Sequence, residues 1–115
     1  MITIHGLKNC DTCRNALRWL KAEGIDHTFS DVRVDGLNSA DISAWAEAAG
    51  WENLLNRRGT TWRQLDDSDK ENIDQQKAEA LMLKFPALIK RPVFVKGAHV
   101  VVGFKEPEKK RLKSL

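Results

Sequence analysis

Apolar positions at the start of the chain follow two periods in succession. Ile2, Ile4 and Leu7 alternate roughly with Thr3 and His5, which predicts a short strand from Ile2 to Gly6. Cys13, Ala16, Leu17 and Leu20 then fall at i, i+3, i+4 and i+7, the apolar stripe of a helix that begins at Asp11. Gly24 sits where a left-handed C-terminal cap is wanted. Residues 25–34, IDHTFSDVRV, alternate again and predict a second strand. A strand, a crossover helix and a strand build a parallel pair with a right-handed connection.

Asp35-Gly36 marks a turn, and beyond it the pattern becomes helical. Asn38 or Ser39 is placed to cap a helix carrying Ile42, Trp45, Ala46 and Ala49, closed by Gly50. The stretch 51–67 has no clear period. Leu54 and Leu55 read as buried, and Asn56-Arg57-Arg58-Gly59 reads as an exposed basic turn. Ser68-x-x-Glu71 has the form of a capping box, so a helix is expected from there through Ile73 and on from Ala78 to Lys84. Its polar middle, Asp74 to Lys77, favours two pieces, and Pro86 bounds it. Val93-Phe94-Val95 and His99 to Val102 flank Lys96-Gly97-Ala98, an antiparallel hairpin, and EPEKKRLKSL ends the chain as a short basic helix. The expected whole is a single domain over 1–115: a mixed four-stranded α/β sheet with a helical insertion at about 38–86.

Composition narrows the classes. A chain of 115 residues, 42% apolar and 30% charged, is long enough for one core and is not of disordered composition. No apolar run approaches a bilayer span, and no basic segment followed by an apolar stretch opens the chain, so a cytoplasmic location and no membrane partner are expected. A net charge of +3 is a mild bias and does not call for direct nucleic-acid binding.

Both cysteines lie where the first strand meets the first helix, as Cys10-x-x-Cys13 followed by Arg14. In a reducing compartment such a pair is metal-binding or catalytic rather than a structural bridge. No second pair exists, and His5, His27 and His99 are scattered, so no metal is expected. A free thiol has a pKa of about 8.5. The helix dipole contributes about 0.3–1 kcal/mol against the 1.36 kcal/mol of one pKa unit, so it needs direct N–H contacts and cations beside it. Arg14 is the nearest cation in sequence, and Lys8 is close. Cys13 shares the apolar stripe and should be the more buried thiol. On a helix an i, i+3 pair has Cβ atoms about 5–6 Å apart, whereas a disulfide needs about 3.5–4.5 Å, so bridging requires Cys10 to sit off the helix at its cap. Cys10 is the expected nucleophile and Cys13 an optional resolving thiol.

Three stretches resemble the arsenate reductase (ArsC)/Spx family of thioredoxin-like proteins: Gly6 to Ala16, Leu54 to Trp62, and Pro86 to Val93. Arg33 to Leu37 and the RGTTWR stretch are most similar to its YffB branch. The resemblance implies a thioredoxin-like sheet with a helical insertion subdomain, Cys10 at the catalytic position, Arg91 holding an oxyanion, Arg58 as the Spx and YffB arginine, and Pro92 as a cis proline beside the site. With Asn9 and Arg14 these form the expected substrate- or anion-binding set. No bound cofactor is implied. Glutathione is the implied co-substrate, with glutaredoxin or thioredoxin as partner system. A thiol reductase is the leading expectation. The alternatives are a genuine arsenate reductase and an Spx-like redox-switched regulator that binds RNA polymerase. Glutaredoxin-coupled arsenate reductases carry an arginine in the last hairpin, where this chain has Val102-Gly103-Phe104, and no cysteine at the place of Cys13.

Overall fold

The computed structural model describes all 115 residues. The chain divides into two compact units, one of Met1–Gly36 with Arg91–Leu115, the other of Leu37–Lys90.

The first unit is built on a sheet in the order β2-β1-β3-β4. Its strands are β1 (Ile2–Gly6), β2 (His27–Asp31), β3 (Val93–Lys96) and β4 (His99–Val102). β1 is central. It pairs in parallel with β2, Ile2 opposite His27 and Gly6 opposite Asp31, and antiparallel with β3, Thr3 opposite Val95. β3 and β4 form the expected hairpin, closed between Lys96 and His99 by Gly97-Ala98. Gly97 has φ +58°, a value that L side chains rarely adopt and that a two-residue hairpin turn requires at its first central position.

Helix α1 (Asp11–Ala22) crosses between β1 and β2, and its stripe does what the spacing predicts: Cys13, Ala16 and Leu20 are all fully buried. The core joins Ile2, Ile4, Phe94 and Val101 of the sheet to Ala16 and Leu20 of α1 and to Leu112 of the last helix of the chain, Glu106–Ser114. Trp19 meets Phe104 edge-on at 5.6 Å and extends that core outward. The unit is a mixed, thioredoxin-like α/β sheet with helices. β2 is shorter than the expected 25–34. Ile25 donates back to Leu20, and beyond Asp31 the chain folds into a turn, Asp35 N–H reaching the Asp31 carbonyl at 2.8 Å.

The second unit is helical: α2 (Ser39–Ala49), α3 (Trp51–Leu54), α4 (Thr60–Gln64), α5 (Asp67–Lys70) and α6 (Gln75–Lys84), then a 3-10 turn at Pro86–Leu88. The Glu106–Ser114 helix, α7, completes the numbering. Asn38 caps α2, its side chain accepting the Asp41 N–H at 2.8 Å. Ile42, Trp45, Leu54, Leu55, Met82, Leu88 and Ile89 are buried here. Two extended bits, around Leu55 and Ile89, pair antiparallel: Asn56 N–H donates to the Leu88 carbonyl at 2.7 Å and Lys90 N–H to the Leu54 carbonyl at 2.8 Å. The helix expected from Ser68 through Ile73 is not formed. Its start is only the single turn of α5, capped at Asp66, and Asn72 takes a left-handed φ of +50°. The working cap lies further on, where the Asp74 carboxylate accepts the Lys77 N–H at 2.8 Å and starts α6. Local pattern named a capping box, but Asp74 offers the same bond at the head of a longer apolar run. No helix of the chain is long and apolar enough to cross a membrane.

Candidate active site

The loop between β1 and α1 is a four-residue turn, Leu7-Lys8-Asn9-Cys10, closed by the Cys10 N–H donating to the Leu7 carbonyl at 3.2 Å. Cys10 is extended, φ −95° and ψ 121°, and is the N-cap of α1. It therefore lies off the helix, as bridging to Cys13 requires, while its carbonyl accepts the Arg14 N–H at 2.9 Å. The first N–H groups of a helix have no partner within it, and a negative charge at the cap meets them. The Cys10 thiol stands at this end of the helix. Burial is the largest single influence on that thiol and pushes its pKa up. The backbone N–H of Cys13, the Cys13 thiol, and Arg91 through hydrogen bonding and charge together outweigh burial and hold the pKa below its ordinary value.

Cys13 is the opposite case. It is fully buried, and burial, with the Cys10 thiol and charge beside it, pushes its pKa up to about 11. Its sulfur rests against the backbone of Gly6, where an added Cβ would come within 2.5 Å. The two free thiols thus divide into a half-buried one disposed to ionise and a buried one disposed to keep its proton.

The expected site residues are drawn from both units. Cys10, Cys13, Asn9, Arg14, Arg91 and Pro92 belong to the sheet unit. Asn9 is exposed at the third position of the turn. Arg14, the nearest cation in sequence, points its guanidinium to the Asp11 carboxylate one turn back. The cation that meets Cys10 is Arg91, delivered by the chain just before β3. Pro92 follows a cis peptide bond and is buried, its carbonyl accepting the Gly103 N–H at 2.9 Å. Arg58 belongs to the helical unit. It is exposed on the Asn56–Gly59 turn, its backbone N–H donating to Asn56 Oδ1 at 3.1 Å. Its neighbour Arg57 is occupied, with its guanidinium 5.5 Å from the ring centre of Trp51 and 5.7 Å from that of Trp62. These tryptophans therefore fix the turn that presents Arg58. No group of three or more His, Cys, Asp or Glu side chains gathers in a way that could hold a metal ion.

Sequence reasoning missed Asp31. It is the one buried charged residue of the chain, 7% exposed. One carboxylate oxygen accepts the Lys8 N–H at 3.1 Å, and the other accepts the N–H groups of Arg33 at 2.9 Å and Val34 at 3.4 Å. The Arg33 N–H first, then those of Lys8 and Val34, hold its pKa below the usual carboxylate value against the effect of burial. The signal available in the sequence was an aspartate ending a strand just before an Asp-Gly turn, which suits capture of backbone N–H groups two and three residues on.

A parallel β-α-β unit and a hairpin in one mixed sheet define a thioredoxin-like fold, with a cysteine at the N-cap of the crossover helix. Within that class the match is specific: the family model described as ArsC family covers residues 5–112, and the chain belongs to that family. An uncharacterised protein of Haemophilus influenzae is 42% identical over 108 residues, 94% of this chain and 95% of its own. The global transcriptional regulator Spx of Listeria innocua is 25% identical over 113 residues, 96% of this chain and 86% of its own. Among solved structures, a YffB protein superposes with a TM-score of 0.91 at 36% identity, covering 100% of this chain and 99% of its own.

Proposed function

We propose that this chain is a thiol-dependent reductase of the ArsC family that works with glutathione in the reducing cytoplasm, with Cys10 as its nucleophile. The observation that carries the reading is Cys10 at the α1 cap with its pKa lowered by Cys13 and Arg91. The Cys10 thiolate attacks the glutathione sulfur of a mixed disulfide. A Cys10–glutathione disulfide forms, the substrate S–S bond breaks, and the substrate sulfur leaves as thiolate. A second glutathione thiolate then attacks this adduct, releasing oxidised glutathione and restoring the Cys10 thiolate. Cys13 attack on the same adduct would release glutathione and leave a Cys10–Cys13 disulfide for glutaredoxin or thioredoxin to reduce. Burial raises the Cys13 pKa, which favours glutathione over Cys13 as the resolving thiol. Arg91 steadies the anionic substrate beside Cys10, with Asn9 at the turn. Arg58 is assigned to substrate or glutathione carboxylates by family resemblance.

The test is turnover of wild type and Cys10→Ser on glutathione mixed disulfides and on arsenate, with glutaredoxin supplied. Activity on mixed disulfides that is lost in Cys10→Ser supports the reading. Turnover of arsenate alone would make the chain a genuine arsenate reductase, and no turnover of either would remove both. One observation favours a second reading: the cysteine pair is present in a chain 25% identical to a Listeria Spx regulator. In that reading the Cys10–Cys13 disulfide switches a surface that binds RNA polymerase and turns nothing over. Pull-downs under oxidising and reducing conditions decide it, since absence of polymerase from both eluates ends it.

A further inference from the structure

Asp31 is buried, charged and unused by the chemistry above, yet it is bonded to the loop that carries the nucleophile. We propose that Asp31 is a positioning residue for Cys10, its carboxylate holding the Leu7–Cys10 turn in place through the Lys8 N–H. The inference rests on the reading of Cys10 as the nucleophile.

The geometry forms a chain of short links. Asp31 ends β2 directly opposite Gly6, the last residue of β1. Val32 N–H donates to the Gly6 carbonyl at 3.0 Å, so the strand pairing runs up to the start of the loop. Two residues beyond Gly6, the Lys8 N–H donates to Asp31 Oδ2. Lys8 is the second residue of the turn whose closing bond joins Cys10 N–H to Leu7. Fixing Lys8 therefore fixes the path on which Cys10 reaches its cap position. Asp31 is itself held from the other side. Its own N–H donates to Asp35 Oδ2 at 3.0 Å, Ser30 Oγ donates to the same oxygen at 3.2 Å, and its second carboxylate oxygen is engaged by Arg33 and Val34. A carboxylate with its acceptor sites filled by backbone N–H groups is a rigid anchor, because each bond would be left unmade if it moved.

Charge and position predict opposite signs, and that makes the role testable. Acting through its charge alone, Asp31 would disfavour the thiolate, and Asp31→Asn would speed alkylation of Cys10. As a positioning residue it keeps Cys10 at the helix end and beside Arg91, and Asp31→Asn should slow alkylation.

The experiment measures iodoacetamide labelling of Cys10, read by peptide mapping, across pH 5 to about 9. Asp31→Asn should label about three-fold more slowly at pH 7, with its profile displaced to higher pH. Asp26→Asn, which removes an exposed carboxylate just before β2, outside the bonds that hold Asp31 and the turn, should match wild type. Faster or unchanged labelling in folded Asp31→Asn overturns the proposal. Should Asp31→Asn fail to fold, wild type answers by NMR: the Lys8 and Cys10 amide resonances should titrate together with the Asp31 carboxylate. A Cys10 amide that ignores that midpoint also overturns it. Wild-type Cys10 that labels no faster than an ordinary thiol sinks the nucleophile reading itself, a separate outcome from the failure of Asp31.

Discussion

Gly6 offers a sharp test of the packing beneath the site. A Cβ at this position would lie 2.5 Å from Cys13 Sγ and 3.4 Å from Cys13 Cβ, with Phe29 Cε2 at a comfortable 3.7 Å. Carbon contacts are optimal near 3.5–4.0 Å, so the sulfur must retreat by about 1 Å. It has nowhere obvious to go, because Cys13 is fully buried and Gly6 is held in the central strand opposite Asp31. Overpacking of this kind costs about 1–3 kcal/mol, from which the lower entropy of an unfolded alanine returns about 0.4–1 kcal/mol. Gly6→Ala should therefore lose on the order of 1–2 kcal/mol, about 4–8 °C in Tm for a chain of this length. Thermal and urea unfolding followed by circular dichroism, in reductant, measures it. Cys13→Ala alone should cost about 1 kcal/mol for its lost sulfur contacts. The double variant removes the colliding atom, so it should be clearly more stable than the two single losses summed. Additive losses would refute the reasoning, since they would mean that the penalty arises elsewhere than at the Cys13 sulfur.

Replacing Arg91 by Ala should slow alkylation of Cys10 at pH 7 on the order of ten-fold, with Lys restoring part of the rate, whereas Arg14→Ala should change it little because Arg14 is engaged with Asp11. Equal effects at the two positions would contradict the assignment. Cys13 makes stability fall at alkaline pH: its folded pKa of about 11 lies above the ordinary thiol value, so its contribution is intact below that value and is lost as pH rises toward 11. Urea denaturation of wild type against Cys13→Ala should show an alkaline loss on the order of 2 kcal/mol in wild type only. The Cys10 contribution has the reverse sign. Its folded pKa is lowered, so the stability it adds is present above the ordinary thiol value and is lost as pH falls through the folded one. At the head of α6, Asp74→Ala should cost about 1 kcal/mol and Ser68→Ala almost nothing, and a large Ser68 effect would restore the capping box.

The local part of this protein is legible in its amino-acid sequence. The stripe of Cys13, Ala16 and Leu20, the cap position of Cys10, the hairpin around Gly97 and the buried Leu54-Leu55 pair all follow from spacing, because each depends on neighbours within a turn or two. The family resemblance singled out Arg91 among the basic residues and added the cis bond at Pro92, which no period could have suggested. Where several weak local signals competed, as between Ser68 and Asp74, propensity chose the wrong cap, since short helices draw their stability from packing. β2 was read too long for a similar reason: alternation continues through Val34, but the Asp31 and Asp35 carboxylates collect the backbone N–H groups that a longer strand would have used. Which charges matter to Cys10 follows from the folded arrangement alone. Arg14 is four residues away and turns to Asp11, while Arg91 arrives from the far end of the helical insertion and Asp31 from the neighbouring strand. Charge and hydrogen bonding act through space over a few ångströms, and distance along the chain says nothing about distance across a sheet.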